Sequence, residues 1–217
     1  MPAAGRADAA YVSEVDGNNY MQSAIMESQQ IASAISALFN RRGASLYGGE
    51  AVTQLEHALQ AADLAEQSGA TQTLIIAALL HDVGHLLHDL PEDAPDDGID
   101  DVHEQLGDRW LRRWFVPAVC DPVLLHVDAK RYLCAVDSEY QSTLSPASLQ
   151  SLQIQGGPFS TSEARQFESE PYFEESLELR RWDDLAKVPG LQTPDLAHFL
   201  AYLSAGLLNH GSVQASR

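Results

Sequence analysis

Residues 74–87 read LIIAALLHDVGHLL. The first seven are apolar on every face, so a helix built from them has no solvent side and has to run through the middle of the protein. Into that apolar run the chain sets His81 and Asp82 side by side. A buried carboxylate is costly unless it is paired, hydrogen-bonded or bound to a metal, so something must compensate Asp82. A His–Asp hydrogen bond joining two helices would do so, and so would a metal ion.

Helical periodicity continues on both sides. Ile25, Ile31, Ile35, Leu38 and Phe39 recur at three- and four-residue steps up to Gly43, and Leu55, Leu59, Leu64 and Ala65 form one face before Gly69. Helices are expected over 21–42, 53–68, 71–87, 102–115, 121–135, 146–155, 161–168, 171–188 and 194–208. The segment 161–168 opens on a capping box, Ser160 with Glu163. No stretch alternates at period two for long enough to make a strand. The expectation is an all-α single domain over 21–208, a helical bundle, with a flexible extension at 1–20 and a short tail at 209–217.

Composition narrows the function classes. The chain has 217 residues, 45% hydrophobic and 20% charged, which suits one globular domain. Its 13 basic and 31 acidic residues give a net charge of -18, which repels nucleic acid and anionic lipid. No apolar run reaches the roughly 20 residues of a spanning helix. The first residues carry acids where a signal peptide has a basic start, so a cytoplasmic protein is expected. Cys120 and Cys134 form no CxxC pair and read as buried thiols.

Histidines recur on the neighbouring helices: His57 before the His81–Asp82 pair, His103 and His126 after it, and Asp183 in LRRWDDLAK. Separate helices that each send one His or Asp inward are how helical bundles build dinuclear metal sites. Nitrogen and oxygen donors without thiolate suit iron, manganese, zinc or nickel alike. Residues three or four apart share a helix face, and three of these positions have a potential cation or donor one turn away: His85 near His81, Lys130 near His126, Arg180 near Asp183. Such groups would hold a phosphate or phosphonate beside metals, although Lys130 and Arg180 also read as surface ion pairs and His85 as a donor to a metal ligand. His88, His198 and His210 do not fit the spacing and read as structural or exposed. Asp184 adjoins Asp183, but the Arg180-x-x-Asp183 register favours Asp183. Asp93, Asp97, Gly98 and Glu104 fall at the positions of a calcium loop, and Pro95 at a ligand position argues against one.

The stretches LYGGEAVTQLEHALQ (46–60), ALLHDVGH (78–85), HEQLG (103–107), HVDAKRYL (126–133), LSPASLQSLQIQGGP (144–158) and LRRWDDLAK (179–187) together resemble the HD-domain mixed-valence diiron oxygenases of phosphonate catabolism, the PhnZ type, relatives of myo-inositol oxygenase. The resemblance spans about 21–205. It implies an HD-domain fold and an Fe(II)/Fe(III) pair on His57, His81, Asp82, His103, His126 and Asp183, with Asp82 as the bridge. It implies O2 as cosubstrate and a small organophosphonate as substrate: a 1-hydroxy-2-aminoethylphosphonate or its N-trimethyl analogue is oxidised at C1 and its carbon–phosphorus bond broken, giving glycine or glycine betaine and inorganic phosphate. Asp82 and His85 are then the catalytic residues. Lys130, Arg180, His85 and Ser148 contact the phosphonate, while Tyr47 and Glu50 face the cationic end. Two other readings stay open: a metal-dependent HD phosphohydrolase acting on a nucleotide or phosphate ester, and a ligand-sensing module without turnover.

Overall fold

A computed structural model of the chain describes residues 7–88 and 98–208. Its order is α1 (Ala7–Arg42), α2 (Gln54–Gln67), α3 (Gln72–Leu80), a 3-10 turn (Val83–Leu86), α4 (His103–Leu111), α5 (Pro117–Val136), α6 (Tyr140–Thr143), α7 (Pro146–Ile154), α8 (Thr161–Phe167), α9 (Phe173–Leu185), α10 (Leu196–Leu200) and a second 3-10 turn (Leu203–Ala205). The described residues contain no strand, only two isolated bridges, Leu46 with Thr53 and Phe115 with Leu207. The architecture is all-α. Of the segments singled out in the sequence, 1–6, the tail at 209–217 with His210, and the acidic residues Asp93 and Asp97 lie outside the described residues.

Local chemistry sets the helix ends. Thr53 caps α2 in a reciprocal capping box with Glu56, and Ser160 does the same for α8 with Glu163. Behind α2, Gly69 takes φ +73°, the left-handed conformation that ends a helix cheaply only when no Cβ is present.

Several boundaries differ from those read in the sequence. The helix expected from Met21 begins at Ala7, because no proline between Ala7 and Arg42 stops propagation even where the apolar period is lost. The helix expected from Asp121 begins at Pro117, which sits at the first helical positions where its missing N–H costs nothing. The last helix stops at Leu200, and α6 was not foreseen.

The most consequential difference is in the apolar helix, which ends at Leu80 rather than 87. At Gly84 a Cβ would lie 1.9 Å from the His103 carbonyl oxygen. Only glycine lets the backbone after the His–Asp pair come so close to the start of α4. The turn at His81–Asp82 and this contact together place the two halves of the site against each other.

α3 is buried along nearly its whole length, from Leu74 to Leu80, and the core closes round it with Ile31, Ile35, Phe115, Val119, Leu179 and Phe199. α5 packs on α9, α4 and α3, while α2 lies across α3 and α9. Cys120 and Cys134 are free and buried, Trp182 belongs to the core, and Trp110 and Trp114 pack partly buried against it. No helix among the described residues is long and apolar enough to cross a membrane.

Candidate metal centre

His57 on α2, His81 at the end of α3, Asp82 in the turn, His103 at the start of α4, His126 on α5 and Asp183 on α9 converge within the helix bundle, all six buried. Asp82 lies at the middle. Its Oδ2 faces the Nε2 atoms of His57 and His81 at 3.4 and 3.3 Å, and its Oδ1 faces those of His103 and His126 at 3.3 and 3.4 Å. Asp183 Oδ1 closes the first group at 3.4 Å from His57 and 3.9 Å from His81. One carboxylate therefore joins two nests of donors: His57, His81, Asp82 and Asp183 on one side, Asp82, His103 and His126 on the other.

Each imidazole spends its other nitrogen on an anchored acceptor. Nδ1 of His57 donates to the Ala186 carbonyl at 2.8 Å, that of His81 to Ala78 at 2.8 Å, that of His126 to Val123 at 2.6 Å, and that of His103 to Asp101 Oδ1 at 2.8 Å. A nitrogen facing a carbonyl must carry the proton, which leaves the Nε2 lone pairs turned inward. There Nε2 of His57 meets Nε2 of His81 at 3.1 Å, and Nε2 of His103 meets that of His126 at 3.2 Å. At most one proton fits between the members of each pair.

Both Asp82 oxygens are buried without a hydrogen bond. Burial disfavours the ionised form, but His81 and the other imidazoles hold Asp82 well below the usual carboxylate range, and Arg180 does the same for Asp183. Burial likewise opposes charge on the histidines, yet the carboxylates lift His81 to about 10 and raise His57 and His103, while burial prevails at His126 and lowers it. The cluster thus calls for positive charge at its centre, supplied by inward Nε2 protons or, with those protons released, by metal cations on four Nε2 lone pairs and two carboxylates.

A cavity of about 110 Å³ opens beside His103 and His126, lined also by Tyr47, Glu50, His85, Lys130, Ser148 and Arg180. That is far below the roughly 300–1,000 Å³ of sites for drug-sized ligands and suits a small substrate. Lys130 is buried and donates to Ser151 Oγ at 2.7 Å. Burial, with Arg180 adding to it, lowers its pKa to about 7. Arg180 pairs with Asp183 Oδ2 at 2.6 Å and with Asp184. Asp184 is thus the outer partner of the arginine and also accepts from Tyr140 Oη, while Asp183 turns to the cluster. His85 stacks on His103, with ring centroids 4.0 Å apart, and its Nε2 lies 3.9 Å from Asp82 Oδ1. Tyr47 stacks on His57 at 3.7 Å and donates to Asp183 Oδ1 at 3.2 Å.

Two residues of this site escaped the sequence reading. Asp101 takes His103 on one oxygen and, on the other, His85 at 2.6 Å and His88 at 3.0 Å; its only signal was a position two residues before His103. Lys187 donates to Ser148 Oγ at 2.8 Å and lies 3.8 Å from Glu50; it stands four residues after Asp183, the one-turn step already applied to His85 and Lys130. His88 is thus tied to Asp101, and His198 bonds Glu66 at the surface.

Residues 54–147 match the HD domain family. Over 163 residues the chain is 48% identical to the hydroxymethylphosphonate dioxygenase of Gimesia maris, covering 75% of this chain and 81% of that one. Over 169 residues it is 42% identical to the [1-hydroxy-2-(trimethylamino)ethyl]phosphonate dioxygenase (glycine-betaine-forming) of Leisingera caerulea, covering 78% and 86%. The chain belongs to the HD-domain phosphonate oxygenases. In this HD-domain phosphonate oxygenase the buried His/Asp cluster is a donor set that could hold metal ions, and a small cavity lined by Lys130, Arg180 and Lys187 adjoins it.

Proposed function

We propose that this chain uses dioxygen to cleave the carbon–phosphorus bond of a 1-hydroxyphosphonate, the 2-amino compound or its N-trimethyl analogue, releasing inorganic phosphate and glycine or glycine betaine. The observation that carries the reading is Asp82, whose two oxygens each face a pair of inward imidazole lone pairs beside a small cavity lined by cations. An Fe(II)/Fe(III) pair held by His57, His81, Asp82, His103, His126 and Asp183 would supply the one-electron chemistry and the site for O2.

The residues divide the remaining work. The His103–His126 nest has fewer protein donors than its neighbour and borders the cavity, so a metal held there would leave room for substrate oxygens. Lys130 and Ser148 hold the phosphonate, and the position of Arg180 is fixed by its two aspartates. His85 has its Nδ1 proton committed to Asp101, which leaves Nε2 turned toward Asp82 to hold or pass a proton at the reacting end. Tyr47 covers His57 and keeps water from that nest. Glu50 faces the cationic end of the substrate.

Iron-loaded protein incubated with each 1-hydroxyphosphonate in air should release phosphate and show a coupled mixed-valence resonance signal. Equal phosphate release without oxygen, or with zinc in place of iron, would establish hydrolysis instead.

A further inference from the structure

Glu50 and Tyr47 line the cavity with an acid and an aromatic ring, the surroundings that suit an ammonium group. One is already there. Nζ of Lys187 lies 3.8 Å from Glu50 Oε1 and 5.8 Å from the centre of the Tyr47 ring. Its hydrogen bond goes elsewhere, to Ser148 Oγ at 2.8 Å, and Asp184 Oδ1 is 3.9 Å away. Glu50 Oε1 is buried and receives no hydrogen bond. Lys187 is therefore docked against Glu50 without being locked to it, whereas Arg180, on α9 just before it, is held by short contacts to Asp183 and Asp184.

Building on the function proposed above, we infer that Lys187 is a tethered ammonium that occupies the cationic subsite of Glu50 and Tyr47, and is the residue that sets the choice between uncharged and cationic 1-hydroxyphosphonates. A substrate with no charge on its carbon substituent leaves Lys187 in place, where its charge adds to the field that attracts the phosphonate. A substrate carrying an ammonium must displace it, because two cations cannot share one carboxylate in a partly desolvated pocket without repulsion. Specificity here is negative as well as positive: Lys187 works against one class of substrate.

The test compares the iron-loaded wild type with Lys187→Met, Lys187→Gln and Lys187→Arg. Hydroxymethylphosphonate and 1-hydroxy-2-aminoethylphosphonate serve as probes, read by phosphate release in air and by equilibrium binding without oxygen. Loss of the charge should raise the preference for the amino compound by about 10-fold or more in both readouts, while Lys187→Arg keeps the wild-type preference. Metal content and melting temperature monitor the fold, and agreement between the Met and Gln variants separates charge from shape. An unchanged preference would overturn the inference. So would an equal loss with both compounds, which would make Lys187 a phosphonate ligand. Phosphate release by the wild type judges the proposed reaction, while the binding ratio judges Lys187, so the two can fail separately.

Discussion

Asp101 Oδ1 accepts the Nδ1 proton of His103 at 2.8 Å, and its other oxygen takes His85. The carboxylate thus fixes the tautomer of one candidate metal ligand and of the donor stacked on it. In Asp101→Asn, an amide nitrogen would face one of those two N–H groups. Partners of this kind are typically worth about 10- to 100-fold in metal affinity. The variant should fold yet bind the second metal equivalent that much more weakly, as measured by competition with a chelator; unchanged affinity for both equivalents would refute the role.

Among the described residues Asp82 is the one carboxylate shared by the two nests. Asp82→Asn keeps its shape but removes the charge that both nests depend on, so both metals and most of the activity should be lost. His81→Ala should strip the first nest. A variant of either kind that still held two metal ions per chain in elemental analysis would rule out the assignment.

Lys130 gives a pH signature. Burial lowers its pKa from 10.5 to about 7, with Arg180 and Lys187 on the lowering side and Asp183 and Asp184 on the raising side. Between those values the folded chain binds fewer protons than the unfolded one. Its contribution to stability is therefore most adverse below about 7 and improves as pH rises toward 10.5. Function runs the other way, because only the ammonium form holds a phosphonate. KM should climb as pH is raised from about 6 to about 9, and in Lys130→Met it should start about 10- to 100-fold higher and climb less. Parallel profiles for the two proteins would place the titrating group elsewhere.

Gly84→Ala puts a methyl group 1.9 Å from the carbonyl oxygen of His103, against backbone that cannot rotate away. The start of α4 must shift, at a cost of roughly 3 kcal/mol in denaturant unfolding. Because His103 moves with it, metal affinity should fall along with stability. A variant of wild-type stability would mean that the contact is looser than described.

The all-α class was legible because apolar residues recur at helical steps almost throughout and nothing alternates. The clustering of His57, His81, Asp82 and His126 had a related signal, because each stands in or beside an apolar helical stretch, whereas His103 and Asp183 stand in polar segments and were marked by their place in the series and, for Asp183, by the Arg180-x-x-Asp183 register. Asp101 was not, since it stands among many acids in an irregular segment and only the chain's path round Gly84 brings it under His103. The break after Leu80 was hidden as well. Periodicity reports which residues are buried, whereas the turn is dictated by a backbone-to-backbone approach that leaves no mark in side-chain pattern. Lys187 lies past the end of α9, where the one-turn rule loses its force.

The two nests differ in access. His103 and His126 line the cavity, as does Asp183 of the other nest, whereas His57 and His81 do not, and Tyr47 stacks on His57. An ion held by His103 and His126 would trade with solution through the opening. One in the other nest would have to pass the Tyr47 ring, so its exchange would be slower. The consequence is one of memory: an ion supplied late would exchange first at the His103–His126 nest, and the other nest would keep longest whatever it first took up.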